Sequence, residues 1–266
     1  MYKRQEPTSG FAAFLAAAAT APGKVGVFSD LDGTLSHIVA NPDTVTPVDG
    51  AVDHMTRLAD ACGRVAVVSG RPISFLERFF EPPVELSGLY GIEHRTGDLR
   101  TVDPVAVEWM PVIAAIAADG AERFGASAVE DKTYSLTVHY RGATPERAAE
   151  VEAWSDQVAI AQGLHARSAK MSVEIHPPIE RNKGDAIADM LDGLSAAVYF
   201  GDDVGDRSAF ERLTTAREGG SLQASASVLV NGVETPDELI DAVTDVVTTP
   251  EEAVAMLDQV LRATAR

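Results

Sequence analysis

Three short apolar runs in this chain each end in a cluster of polar residues, and that repetition restricts the folds open to it. Val25-Gly26-Val27-Phe28 leads into Asp30-Leu31-Asp32-Gly33-Thr34-Leu35. Arg64 to Val68 leads into Ser69-Gly70-Arg71-Pro72, and Ala197 to Phe200 into Gly201-Asp202-Asp203-Val204-Gly205-Asp206. Short apolar runs bounded by turn residues read as strands buried on both faces. Helical stretches are predicted over 48–61 and 72–79, after Asn182-Lys183-Gly184-Asp185, from about 206, and over 250–264. Further strands are predicted over 86–91 and 226–230. Strand alternating with helix indicates a parallel α/β sheet. In an open parallel sheet, sites form at the carboxyl ends of the strands, so the three polar clusters are expected to converge there.

Asp30 and Asp32 lie two positions apart on a strand and so point the same way. Such crowding is unfavourable unless a cation sits between the carboxylates or one of them holds a proton. Enzymes use the arrangement to divide labour, one Asp acting as nucleophile and the other as proton donor and acceptor. Asp-Gly after a strand is also an ordinary turn. The later motifs, arriving in order and in strand context, argue against that reading.

Composition narrows the class. The chain has 266 residues, 45% hydrophobic and 23% charged, enough for a packed core and two domains. Its net charge of −18 argues against nucleic acid and against anionic membranes as partners. Cys62 is the single cysteine, so no intrachain disulfide is possible and a reducing compartment is expected. No stretch reaches about 18 uninterrupted apolar residues, so no membrane span is expected. The Ala-rich segment after Lys3 and Arg4 has the look of a signal peptide. Its Phe11, Phe14, Leu15 and Ala18 fall at i, i+3, i+4, i+7, however, and we read it as an amphipathic helix of a cytoplasmic protein. The six histidines are scattered and offer no zinc cluster.

Between residues 104 and 179 the periodicity changes. A helical stretch over 105–124 precedes strands predicted at 126–131 and 134–141; a second, over 145–162, precedes strands at 164–170 and 171–176. Leu136, Val138 and Tyr140 alternate with Ser135, Thr137, His139 and Arg141, and Met171, Val173 and Ile175 with Lys170, Ser172, Glu174 and His176. The apolar faces need the two helices to cover them. The polar faces read either as a solvated outer surface or as a carbohydrate-binding one, since sugar hydroxyls both donate and accept hydrogen bonds.

The strand-end motifs resemble those of the haloacid dehalogenase superfamily of phosphotransferases. Within it, Gly88-Leu89-Tyr90-Gly91-Ile92-Glu93, the pairs Glu130-x-Lys132 and His139-Tyr140-Arg141, and Lys170 with Glu174 and Pro177 are similar to segments of trehalose-6-phosphate phosphatases. The resemblance implies a Rossmann-like parallel-sheet core, 1–103 with 180–266, carrying an inserted α+β cap at 104–179. It implies Asp30 as nucleophile, Asp32 as acid and base, and Lys183 as a cation at the transferring phosphoryl group. Gly33, Thr34, Ser69, Gly70 and Arg71 would bind phosphate; Glu130, Lys132, His139, Arg141, Lys170 and Glu174 would bind the sugar. Mg²⁺ would be held by Asp30, Asp32 through its carbonyl, Asp202 and Asp203, with Asp206 nearby. Where the family has Thr-Asp-Glu, this chain has Gly205-Asp206-Arg207, a charge reversal beside the metal motif. The implied activity is hydrolysis of trehalose 6-phosphate through an aspartyl-phosphate. The alternatives are the same chemistry on sucrose phosphate or a glycosyl phosphoglycerate, or a non-catalytic sugar-phosphate sensor. The implied partner is a small sugar phosphate; the sequence does not fix the oligomeric state, and a monomer is compatible with it.

Overall fold

The computed structural model describes residues 9–39, 41–169, 171–232, 235 and 237–265. The chain begins with α1 (Gly10–Thr20), β1 (Val25–Ser29), α2 (Ala51–Ala61), β2 (Arg64–Val68), a short α3 (Ile73–Leu76), β3 (Glu85–Gly88), β4 (Glu93–Thr96) and β5 (Leu99–Val102). It continues through α4 (Pro104–Phe124), β6 (Val129–Asp131), β7 (Leu136–His139), α5 (Pro145–Gln162), β8 (His165–Ala169) and β9 (Ser172–His176). The last elements are α6 (Lys183–Met190), β10 (Ala196–Gly201), α7 (Arg207–Glu218), β11 (Ala224–Val230), β12 (Asp245–Val247) and α8 (Pro250–Thr264). Two compact units result: Met1–Arg100 with Arg181–Arg266, and Thr101–Glu180.

The larger unit is built on a sheet of order β12-β11-β10-β1-β2-β3-β4-β5. Pairing is parallel from β12 through β3, and β4 returns antiparallel to β3. β1 and β10 are buried along their whole length, which is why they read as unbroken apolar runs. Their alternate residues feed two cores. Val27, Val67 and Val198 pack with Phe14 of α1, Leu58 of α2 and Leu257 of α8; Phe28, Val68 and Tyr199 pack with Ile187 of α6 and Phe210 of α7. β1 lies between β2 and β10, so the chain leaves it toward opposite sides of the sheet before and after the inserted segment. That topological switch point sets the clusters ending β1, β2 and β10 side by side.

The Ala-rich segment forms α1, with Phe11, Phe14 and Ala18 buried in the first core. The 72–79 helix is shorter than expected, as only Ile73–Leu76 is α-helical. Strands β4, β5 and β12 were not expected. They are three or four residues long, carry at most two apolar residues each, and lie toward the ends of the sheet, so they lack the apolar alternation that marks a strand in sequence.

In the smaller unit, four antiparallel strands in the order β6-β7-β9-β8 form a sheet with an apolar core shared with α4 and α5. Leu136 is partnered with Ile175, and both are fully buried with Ile113, Ile116, Val151 and Trp154. The strands are shorter than the alternation suggested. A 3₁₀ turn occupies Ala126–Ala128 after Gly125, and the β6–β7 hairpin turns through Thr133 at φ 72°. Among the described helices, α4 alone has the length and apolar composition to cross a membrane. Its Ile113, Ile116 and Ala117 belong instead to the core beneath it.

Trp154 packs edge-on against Phe124 at 5.2 Å and is 5% exposed. Trp154→Ala should cost about 3–5 kcal/mol, confined to this unit. Hydrogen exchange should then show lost protection in α4 and α5 with β1 and β10 unchanged; uniform loss across both units would refute their independence.

Candidate active site

The centre of the larger unit is a buried ion network at the end of β1. The Asp30 N–H donates to the Phe200 carbonyl at 2.9 Å, fastening the end of β1 to β10. Asp30 Oδ1 accepts from the Leu31 N–H at 2.6 Å, and Oδ2 accepts from Lys183 Nζ at 2.6 Å. Lys183 is the first residue of α6, placed there by an Asn182–Asp185 capping box. Its ammonium is 3% exposed and also donates to Asp206 Oδ1 at 2.7 Å. Asp206 is fully buried and accepts three further bonds, from the Tyr199 hydroxyl at 2.6 Å and from the Asp202 and Asp203 N–H groups at 2.9 and 3.1 Å.

Carboxylate oxygens of Asp30, Asp202 and Asp206 lie within 4.8 Å of one another. Two close approaches make this possible. Gly33 has φ +81°, and a Cβ there would strike the Asp202 carboxylate; a Cβ at Gly201 would strike that of Asp206. Three buried carboxylates face one ammonium, leaving net negative charge among hard oxygen donors. That donor set fits a divalent cation of the Mg²⁺ or Ca²⁺ type. Asp206 already accepts four bonds, so Asp30 and Asp202 are the side chains to hold such an ion. Asp203, expected in the metal set, accepts from the Gly205 N–H through Oδ1 at 2.8 Å and caps the 3₁₀ turn Val204–Asp206.

Burial pushes the Asp30 carboxyl up to about 7, against the opposing pull of Lys183. Burial alone would drive Lys183 toward neutrality, but Asp206 and Asp30 together hold its ammonium well above the usual lysine range. A cation beside Asp30 and Asp202 would return Asp30 to its charged form.

The expected phosphate-binding residues cluster at the ends of β1 and β2. Thr34 Oγ1 is fully buried, 3.5 Å from Asp202 Oδ1. Ser69 Oγ accepts from the Arg71 N–H at 3.2 Å, across Gly70. Arg71 does something the sequence did not suggest. Its Nε and Nη2 bond the two oxygens of the Asp32 carboxylate at 2.9 and 2.8 Å.

The 88–93 segment moulds the loop carrying Arg71. Leu89 N–H donates to the Arg71 carbonyl and Tyr90 N–H to that of Ser69, both at 3.1 Å. Leu89 and Tyr90 adopt φ of 49° and 58°, backbone strain the neighbouring bonds must hold. Glu93, whose carboxyl is pushed up by burial, accepts from the Ile73 N–H at 2.8 Å and caps α3. Neither Tyr199 nor Glu93 was singled out from sequence. Tyr199 reads there as an ordinary core aromatic, and Glu93 as one letter of a motif.

Arg207, the charge reversal, pairs with Glu211 one helical turn along α7 and is half exposed. It lies outside the carboxylate network, which Asp206 completes without it.

In the smaller unit, β7 and β9 place Thr137 opposite Glu174. Glu174 is 4% exposed and accepts from Lys132 Nζ at 3.3 Å and Ser135 Oγ at 3.0 Å. Glu130 Oε2 lies 3.0 Å from His139 Nε2. Arg141 follows β7 and is exposed, while Lys170 lies outside the described residues. Thr137 is 4% exposed, and its Oγ1 has no hydrogen-bond partner among the described residues.

Asp206→Asn should cost about 3–5 kcal/mol, the usual loss when one member of a buried ion pair is removed. Tyr199→Phe, which deletes one donor to that carboxylate and leaves the ion pair in place, should cost less, about 1.5–3 kcal/mol. Urea unfolding in EDTA compares them, and equal losses would mean that Asp206 does not anchor the network.

The trehalose-phosphatase family model matches residues 28–246. A trehalose-phosphate phosphatase of Mycobacterium ulcerans (strain Agy99) is 32% identical over 197 residues, covering 70% of this chain and 50% of its own. That of Mycobacterium avium (strain 104) is 33% identical over 209 residues, covering 74% and 52%. This chain thus spans about half the length of the curated relatives it matches. Among solved structures, the C-terminal domain of Candida albicans trehalose-6-phosphate phosphatase superposes with TM-score 0.75 at 19% identity, covering 98% of this chain and 99% of that one. A trehalose-6-phosphate phosphatase related protein gives 0.74 at 20% identity, covering 89% and 97%. These two structures speak to the fold alone. The sequence matches go further: the chain belongs to the trehalose-phosphatase family.

Proposed function

We propose that the protein is a Mg²⁺-dependent phosphatase that hydrolyses trehalose 6-phosphate to trehalose and phosphate in a cytoplasmic setting. The observation that carries the reading is the buried Lys183–Asp30 contact beside Asp202. A carboxylate held by an ammonium and facing a second carboxylate suits nucleophilic attack on a phosphoryl group. In this proposal Asp30 attacks phosphorus and forms an aspartyl-phosphate, and water then hydrolyses it. Asp32 protonates the departing sugar oxygen and later takes the proton of the attacking water. Lys183 balances negative charge on the phosphoryl group, and Thr34, Ser69 and the amides beside Gly33 and Gly70 hold its oxygens. Asp30, Asp202 and the Asp32 carbonyl would bind Mg²⁺, which supplies charge neutralisation at the transferring group. Residues 104–179 act as the sugar-recognising domain, through Glu130, Lys132, His139, Arg141, Lys170 and Glu174.

The presence of Asp30, Asp32 and Lys183 together weighs against a non-catalytic sensor. Another sugar phosphate as substrate is the second reading, since the polar face of the smaller unit suits carbohydrate hydroxyls generally.

Phosphate release across a panel of sugar phosphates, with Mg²⁺ and with EDTA, tests the proposal. Trehalose 6-phosphate should give the highest kcat/KM, and EDTA should abolish it. Asp30→Asn should lower turnover at least about a thousandfold, on the order of 4 kcal/mol; retention of more than a tenth of wild-type activity would exclude Asp30 as nucleophile.

Glu174→Ala separates sugar recognition from phosphate chemistry. Losing charge-assisted bonds worth roughly 1.5–3 kcal/mol, it should lower kcat/KM for trehalose 6-phosphate about tenfold to a hundredfold. Hydrolysis of p-nitrophenyl phosphate should change far less. Equal losses on both would assign Glu174 to the fold, not to the sugar.

A further inference from the structure

Arg71 lies in the Ser-Gly-Arg motif, where phosphate binding was expected, and its guanidinium is paired with Asp32. The guanidinium approaches Asp32 edge-on, with Nε 2.9 Å from Oδ2 and Nη2 2.8 Å from Oδ1. Both carboxylate oxygens are thus held by one rigid planar fork, and a two-point contact fixes the orientation of the carboxylate as well as its distance. The fork is itself held. It lies 4.4 Å over the Phe75 ring, and the Arg71 side chain is 11% exposed. The Arg71 backbone is fixed from two sides, its N–H donating to Ser69 Oγ and its carbonyl accepting from the Leu89 N–H. Asp32 and Arg71 follow neighbouring parallel strands, β1 and β2, so the sheet sets the separation of their backbones.

From this geometry we infer that Arg71 is a positioning residue for Asp32, setting the direction in which that carboxyl meets the leaving-group oxygen. The inference rests on the proposed role of Asp32. In the first step the bond from Asp30 Oδ to phosphorus forms and the bond from phosphorus to the sugar oxygen breaks. The proton passes to that oxygen from the Asp32 oxygen lone pair that the fork leaves open, and the resulting carboxylate is held at both oxygens by the guanidinium. A misdirected Asp32 harms reactions whose leaving group needs the proton and spares those whose leaving group departs as a stable anion. A phosphate ligand would behave otherwise, because every phosphate monoester presents the same phosphoryl oxygens.

Leaving-group dependence therefore tests the assignment. Arg71→Lys keeps a cation but cannot form the two parallel bonds, and Arg71→Met keeps the stem while removing the charge. General acid catalysis contributes roughly 10²- to 10⁴-fold. Either variant should accordingly lower kcat/KM for the sugar phosphate at least about tenfold more than for p-nitrophenyl phosphate. Across a series of aryl phosphates from good to poor leaving groups, the variant rates should fall more steeply than wild type. Inhibition by orthophosphate should be little changed. In an Asp32→Asn background the same Arg71 substitution should add no further steepening, since it acts through Asp32.

Equal losses on all substrates with weakened orthophosphate inhibition would make Arg71 a phosphate ligand and overturn the inference. So would an unchanged leaving-group slope in variants that fold as judged by circular dichroism. If only one of the two variants folds, that one decides. A wild-type protein inactive on sugar phosphates but active on the aryl series would remove the proposed substrate alone, and the slope would still decide the role of Arg71. Inactivity on both would overturn the phosphatase reading and this inference together.

Discussion

A single buried ammonium ties the site together. Lys183 lies between Asp30 and Asp206 at 2.6 and 2.7 Å, and the three residues come from the end of β1, the turn after β10 and the first position of α6. None of these groups could be buried as a charge alone, because desolvation costs several kcal/mol per ion. Each charge is tolerable only because the others are present, so the network holds its members at one geometry. Asp206 extends that order by accepting the Asp202 and Asp203 N–H groups, which aims the turn carrying the second candidate metal ligand.

The carboxylates of the site are chemically one residue type, yet their surroundings give them different work. Asp206 has four donors and serves as an anchor. Asp30 has the Leu31 amide on one oxygen and Lys183 on the other, with burial raising its proton affinity until a cation arrives. Asp32 has a guanidinium fork, and Asp203 caps a turn. The net charge of −18 offers an anionic substrate no long-range attraction, so in the proposed reaction Lys183 and a bound cation would supply the positive charge locally. The Arg207 reversal leaves this pattern untouched because Glu211 takes up its charge on α7.

Membership of the trehalose-phosphatase family is consistent with a second unit whose sheet is apolar on one side and polar on the other. Leu136 and Ile175 anchor the apolar side, while Ser135, Thr137 and Glu174 form a buried polar group in which Glu174 already has an ammonium and a hydroxyl as donors. In the proposed function, sugar hydroxyls would take over both donor and acceptor places on this face.

Periodicity made much of this legible in advance. Strands buried on both faces must be apolar throughout, so β1, β2 and β10 announced themselves, and the alternation of β7 and β9 gave the two faces of the smaller sheet. The strand-end motifs brought Asp30 and Asp202 together because parallel strands deliver their ends to one place, and the Asn182-Lys183-Gly184-Asp185 helix start marked Lys183. What the sequence could not determine was which charge meets which. Arg71 beside Ser69 reads as a phosphate ligand, and only the packing of β1 against β2, with Phe75 beneath and Leu89 behind, turns its fork onto Asp32. Asp203 reads as a member of the metal set and Asp206 as its neighbour, and only the fold shows a 3₁₀ turn that points one at Gly205 and buries the other against Lys183 and Tyr199. Side-chain pairing between distant segments depends on distances of a few tenths of an ångström, and those are set by how helices and strands pack, which local sequence pattern does not encode.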